Sequence, residues 1–284
     1  MSLDNYIPAI WAAALLENLN DKHVYASCYN HDFEGDISSV GDSVRINTIG
    51  RVTIGTYTKN STTITAETLD DAQQTLMITE SKYFAFEIDD IDKVQQKPKA
   101  MGNAMLEAAW GLADTADAFL ATQLTASVAS GNLLTAATSV GTGATDNDAY
   151  EILVDLGVKL DENNAGEDRW VVIPPWFHGM LLKDPRFVSF GTPENRKSIR
   201  NGSVGQTING FTVKVSNNVP VSASAYDILA GYTGAATFAE QIPEGSPEAY
   251  RPEGAFSDAL KGLHLYGAKI TRPNALSKIV ATSA

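Results

Sequence analysis

Two unlike stretches placed back to back limit what this chain can fold into. From about residue 35 to 92 it alternates short β-type runs with glycine- and threonine-rich segments that can bury little. From about residue 98 to 128 it then reads as one helix. Residues 43–49, Ser-Val-Arg-Ile-Asn-Thr-Ile, alternate apolar and polar side chains, the period of a half-exposed strand. Residues 75–79 and 82–88 carry β-formers and aromatics back. The tract 57–68 between them is rich in Thr and Ser and poor in large apolar groups, as at an exposed tip. Such a two-stranded excursion is marginal alone and needs a surface to lie against. In the helix, Met101, Met105, Ala108, Leu112, Ala116, Phe119 and Leu124 recur at three- and four-residue steps. At 1.5 Å per residue it is roughly 45 Å long. An arm and a helix of this kind predict a subunit that completes its packing on neighbours.

Composition points the same way. The 284 residues are 44% hydrophobic, enough for a sizeable core, yet only 19% are charged. About a quarter is usual for a soluble domain, and charges are depleted at the centres of interfaces. The net charge of −13 argues against sequence-specific nucleic-acid binding, which calls for a basic patch. The densest basic stretches, Lys93–Lys99 and Arg196–Arg200, are short and read as solvated faces. Cys28 is the sole cysteine, so no intrachain disulfide can form. The start lacks the pattern of a signal peptide, and no window is apolar enough to span a membrane. Synthesis and assembly are therefore expected in the cytoplasm, without a membrane partner.

Further elements can be placed along the chain. Trp11, Leu15 and Leu19 form the apolar stripe of a helix over 7–20. A second helix is expected over 145–160, with Asp148 and Glu151 at capping-box-like spacing. A buried strand over 169–173 ends at Pro174-Pro175, and a third helix follows over 176–183. Asn209-Gly210 signals a hairpin. Strand patterns close the chain at 228–232, 260–271 and 279–280.

Several of these segments look familiar in sequence and in order. They are Ile7-Pro8-Ala9-Ile10-Trp11, Gly41-Asp42-Ser43-Val44-Arg45-Ile46, the run from Tyr83 through Asp92, and Arg169-Trp170-Val171-Val172-Ile173-Pro174-Pro175. Leu182-Lys183-Asp184-Pro185-Arg186-Phe187, the run from Phe211 to Asn218, and Gly262-Leu263-His264-Leu265-Tyr266-Gly267-Ala268 complete the series. The chain resembles the major capsid (coat) proteins of tailed bacteriophages, which have the Hong Kong 97-type fold. The resemblance implies an α+β protein with an N-terminal arm (1–32), an extended β-hairpin loop with adjoining strands (33–92), and a peripheral domain with a long spine helix (93–144). An axial domain (145–245) and a return to the peripheral domain (246–284) would follow. It also implies self-assembly into hexamers and pentamers of an icosahedral head around double-stranded DNA. The partners would be a portal protein, a separate scaffolding protein or none (no scaffolding segment is expected before the arm) and, on some particles, a decoration protein. Some members crosslink a loop lysine to a neighbour's asparagine. Lys59 and Asn274 lie in the corresponding regions, a weak match.

The expected inter-subunit contacts are Trp11 and Leu15 in the arm, Arg45, Lys59 and Glu67 on the loop, and Arg196 and Arg200 in the axial region. No catalytic, cofactor or metal residue is expected. Glu87, Asp89, Asp90 and Asp92 could gather a divalent cation, but the helix that follows attracts carboxylates as well. His23, His31, Cys28 and Asp32 could share a zinc, but ordinary polar roles are the simpler reading. Gly141-Thr142-Gly143 lacks the lysine of a phosphate loop, and no Gly-x-Ser-x-Gly elbow exists. Two alternatives remain: a nanocompartment shell of the same fold around a cargo enzyme, and a secreted β-rich hydrolase or adhesin, which would need an export signal and a catalytic set.

Overall fold

The computed structural model describes residues 23–32, 43–49, 54, 56–59, 71–89, 100–141, 146–184, 207–242, 247–254 and 257–283. The strands are β1 (Ser43–Ile49), β2 (Asp71–Met77), β3 (Glu80–Asp89), β4 (Leu133–Val140), β5 (Arg169–Ile173), β6 (Thr207–Ile208) and β7 (Phe211–Val215). They continue with β8 (Val221–Ser222), β9 (Ala225–Tyr232), β10 (Ala236–Gln241), β11 (Glu248–Tyr250), β12 (Ser257–Ile270) and β13 (Leu276–Ser283). The helices are α1 (Ala100–Ser127), α2 (Ala149–Glu162) and α3 (Pro175–Lys183).

A seven-stranded mixed sheet has the order β4-β13-β9-β5-β7-β6, with β8 alongside β9. Its central strands are covered on both sides. On β5, Trp170 and Val172 face a core shared with Ala116, Leu120 and Leu124 of α1. Val171 and Ile173 face the opposite way, toward Leu153 and Leu156 of α2 and Phe177 and Leu181 of α3. This burial of both faces is why residues 169–173 read as a continuous apolar run rather than an alternating one. The Asn209-Gly210 turn joins β6 to β7, and both residues have positive φ, +50° and +78°. That is the geometry a type I′ hairpin needs.

A second sheet is built around β12. One edge of β12 pairs antiparallel with β3 from Ser257 to Tyr266. The other edge takes β11 at residues 259–261 and β10 at residues 265–270. Helix α1 lies against both sheets, since its buried stripe also meets Phe238 of β10 and Tyr266 of β12. The stripe is lined largely by alanine: Ala109, Ala113, Ala116 and Ala121 are buried beside Leu112, Leu120 and Leu124. Small side chains let the helix axis approach the strands closely.

The hairpin ribbon β1–β2 pairs from Ser43↔Met77 to Ile49↔Asp71. It rests on the second sheet through a small cluster of Ile46, Leu76, Ile78, Ala239 and Leu265. Gly267 marks the crossing point. A Cβ there would run into the Met77 carbonyl oxygen and come within 3.0 Å of the Ile78 Cα. The sheet therefore admits the ribbon only where one strand has no side chain.

Two details differ from the sequence expectations. β4 and β10 lie in stretches with no sequence assignment, since Leu-Leu-Thr-Ala-Ala-Thr-Ser-Val and Ala-Thr-Phe-Ala-Glu-Gln show little strand alternation. Asp148 stands at the N-cap of α2, but its side chain makes no capping hydrogen bond. Strand pairing joins segments far apart in the chain. β10, within 145–245, pairs with β12, while β13, at the end of 246–284, joins the seven-stranded sheet between β4 and β9. The expected helix over 7–20 lies outside the described residues.

Candidate assembly surface

No cleft with convergent catalytic groups marks this molecule among its described residues. Its conspicuous surface is apolar. Beyond β1 in the chain, Ile54 is 95% exposed and Tyr57 64% exposed. On β3, alternate residues face outward, and Tyr83 is 79% exposed. Tyr83 lies directly across from Leu263 of β12, which is also exposed. The inward-facing Phe84 and Phe86 stack on each other, 6.1 Å between centroids, and Phe84 packs on Leu112 and Ala113 of α1. Between this strand and α1 runs a groove of about 400 Å3, lined by Tyr83, Phe84, Ala108, Gly111 and Leu112 among others.

A second apolar ridge runs along α1. Leu106 and Trp110 are one helical turn apart and both are exposed. Trp110 borders a cavity of about 200 Å3 shared with Val24, Val215 and Asn218. Asn218 is fixed there by donating from Nδ2 to Asp114 Oδ1 at 2.7 Å. Clusters of exposed large apolar side chains on a soluble subunit mark contact surfaces.

Of the residues expected at subunit contacts, Lys59 is exposed in a turn beside Tyr57. Arg45 belongs to β1, where its backbone pairs with Thr75. Trp11, Leu15, Glu67, Arg196 and Arg200 lie outside the described residues. Asn274 is exposed in a short 3-10 helix, and its carbonyl accepts from Asn132 Nδ2 at 2.8 Å. Sequence reasoning passed over Trp110 and the Tyr83–Leu263 pair as contact candidates. The signal was present in both: Trp110 is a large apolar residue off the buried stripe of its helix, and Tyr83 sits on the polar phase of an alternating strand.

Beneath this surface lies a buried ionic cluster. His23, which precedes the short 3-10 helix Ala26–Cys28, approaches Asp117 of α1 with Nδ1 3.1 Å from Oδ1. Its Nε2 lies 3.4 Å from Glu240 Oε2 on β10, a close ionic approach. His264 of β12 holds the same Glu240 oxygen at 2.9 Å through Nε2. Burial alone would lower the His23 pKa, but the hydrogen bonds and charges of Asp117 and Glu240 outweigh it and hold the imidazolium to about 9. Burial would raise Glu240, but bonding to His23 and His264 brings it down to about 2. The other groups once weighed as zinc ligands go elsewhere. His31 Nε2 meets the Ala26 carbonyl, Asp32 pairs with Asn30, and Cys28 is sealed in the core with its thiol pushed up to about 12, chiefly by burial. Of the acidic quartet, Glu87 is exposed and receives Ser257 Oγ at 3.4 Å, while Asp90 and Asp92 lie outside the described residues.

A long helix spanning two sheets, with a ribbon crossing one of them and apolar side chains left outward, describes a shell subunit of the Hong Kong 97-type fold. The chain belongs to the phage capsid protein family: its residues 51–279 match the family described as "Phage capsid protein". A chain from Mycobacterium phage Che8 superposes with a TM-score of 0.68 at 26% identity, covering 91% of this chain and 90% of that one. The capsid structure of Cyanophage P-SCSP1u gives 0.66 at 18% identity over 87% and 85%. The holo-SrpI encapsulin complex from Synechococcus elongatus PCC 7942 gives 0.54 at 12% identity over 86% and 83%, a likeness of fold alone. No curated protein sequence matches the chain. The protein is a phage major capsid protein, and its place is the capsid of the virion.

Proposed function

We propose that this subunit assembles as hexamers and pentamers of an icosahedral head that encloses double-stranded DNA, and that it performs no catalysis. The family match over residues 51–279 is the observation that carries this reading. The exposed apolar ridges give it a physical basis, since they would bury surface that a monomer leaves in water. In this reading 1–32 is the arm, 33–92 the loop reaching over a neighbour, 93–144 with 246–284 the peripheral region, and 145–245 the axial region. Trp11, Leu15, Arg45, Lys59, Glu67, Arg196 and Arg200 contact adjacent copies. The net charge of −13 keeps a wall of such subunits from adhering to packed phosphates. Assembly takes place in the host cytoplasm, with a portal protein, a separate scaffolding protein and, on some particles, a decoration protein as further partners. Electron microscopy of the expressed protein, alone and with its genomic neighbours, tests this. Closed shells, or rings of five and six, are the expected result. A monomer under all conditions overturns it, and a shell loaded with an enzyme assigns the fold to a nanocompartment instead.

A further inference from the structure

Residues 23–32 are not a loose lead-in to the body. They form a strap bound to three elements at once. Asp117 is the knot on the helix side: besides His23 it accepts the backbone N–H of Val24 at 2.7 Å and of Ala26 at 3.2 Å. Tyr29 donates its hydroxyl to the Leu120 carbonyl of α1 at 2.9 Å. On the sheet side, Asn30 N–H donates to Ala236 O at 2.8 Å and Phe238 N–H donates to Asn30 O at 3.0 Å, so the strap extends the edge of β10 by one bridge. Tyr25, Ala26, Cys28 and Tyr29 are buried in the core beside Leu120, Leu124 and Phe238.

One cation ties these parts together. His23 stands between Asp117 of α1 and Glu240 of β10, and its side chain is nearly sealed from solvent. The remaining ionisable groups around it are few. From β12 come His264, bound to Glu240, and Tyr266, whose ring lies 5.0 Å from that of His264. From the strap itself come Tyr25, Cys28 and His31, the last against the Phe238 ring. At the strap's outer end, Lys214 of β7 reaches Ser27, and Asp227 of β9 acts on Tyr25 at longer range. Without a proton on both His23 nitrogens, Asp117 and Glu240 lose the charge that compensates them in a site with little water.

We infer that His23, Asp117, Glu240 and His264 form a proton-dependent clasp that fastens the strap 23–32 to the body of the subunit. The clasp stays closed while His23 is an imidazolium and loosens when that proton leaves, with α1 and both sheets still folded. Its direction follows from linkage. A histidine raised from 6.5 to about 9 lends its full support below 6.5 and loses it as pH rises through 9. Glu240, lowered to about 2, withdraws its support only as pH falls through that value. Loosening is therefore an alkaline event. The inference concerns the subunit's own fold and does not depend on how many copies associate.

The sole cysteine reports on it. Cys28 lies at the centre of the strap and is fully buried, so a thiol reagent reaches it only when the strap opens. Labelling of the full-length protein is measured from pH 7 to 10. Each rate is divided by that of an Ala-Ser-Cys-Tyr peptide at the same pH, which removes the thiol's own titration. Tryptophan fluorescence is read in parallel to show that the body remains native. The expected result is a fall in Cys28 protection of roughly ten- to a hundredfold across this range, the span a single raised histidine allows. His23→Gln should be less protected at pH 7 and flat with pH. Glu240→Gln should shift the fall to lower pH, and it serves as the comparison if His23→Gln does not fold. Equal protection of the wild-type protein at pH 7 and 10, or an unchanged pH profile in either folded variant, overturns the clasp.

Discussion

Glu240 touches two imidazoles from a largely buried position, so its truncation is a sharp single-residue perturbation. Glu240→Ala leaves His23 and His264 buried beside one remaining carboxylate, Asp117. Removing one partner from a buried ionic set typically costs about 3–5 kcal/mol, because the charge left behind must still be desolvated. Chemical denaturation of the variant at pH 7 should show a loss of that order. A surface pair such as Lys261–Glu248, exposed on both sides, supplies the contrast: Glu248→Ala should leave the denaturation midpoint essentially where it is. Asp117 was not singled out by the helical pattern, which marks apolar positions only. His23, Glu240 and His264 were not either, because they are separated by more than 200 residues at the extreme, and no periodic pattern links an isolated histidine to a carboxylate on a distant strand.

At the scale of elements, the ribbon and the sheet beneath it meet at a glycine. Gly267→Val places branched carbons against the Met77 carbonyl and the Ile78 backbone, neither of which can rotate away. The ribbon must lift or the strand must bend, and the cluster of Ile46, Leu76, Ile78, Ala239 and Leu265 opens. Overpacking of this kind costs roughly 1–3 kcal/mol. Hydrogen exchange should show the amides of β2 losing protection while those of β5 and β9 keep theirs. Uniform loss across the molecule would count against a local crossing point. The strands on either side of this contact were readable as β-type runs, α1 from its three- and four-residue steps, β5 from its apolar run ended by Pro174, and the hairpin from Asn209-Gly210. β4 and β10 were not, since runs of small residues carry little amphipathic signal and form strands only because β13 and β12 offer open edges.

For the whole molecule, the decisive property is apolar surface that the subunit does not bury on itself. Ile54 and Tyr57, beyond β1 in the chain, are both exposed. Deleting residues 57–68 should leave a subunit with an unchanged circular dichroism spectrum and melting temperature that fails to form normal shells under the electron microscope. Normal shells from that deletion would show that the loop bears no part of assembly. The order of parts, a ribbon followed by a long helix and a mixed body, was legible in the sequence, and the resemblance of short segments in that order pointed to the family and its fold. Those features are local: a period of two or four residues and a turn dipeptide are written in neighbouring positions, where side-chain geometry acts directly. What only the tertiary structure decided is non-local. It brought β13 into the seven-stranded sheet, let the ribbon cross at Gly267, and gathered His23, Asp117, Glu240 and His264 around one proton. Such contacts depend on which distant surfaces meet once the core closes, and burial, not sequence spacing, sets their charge state.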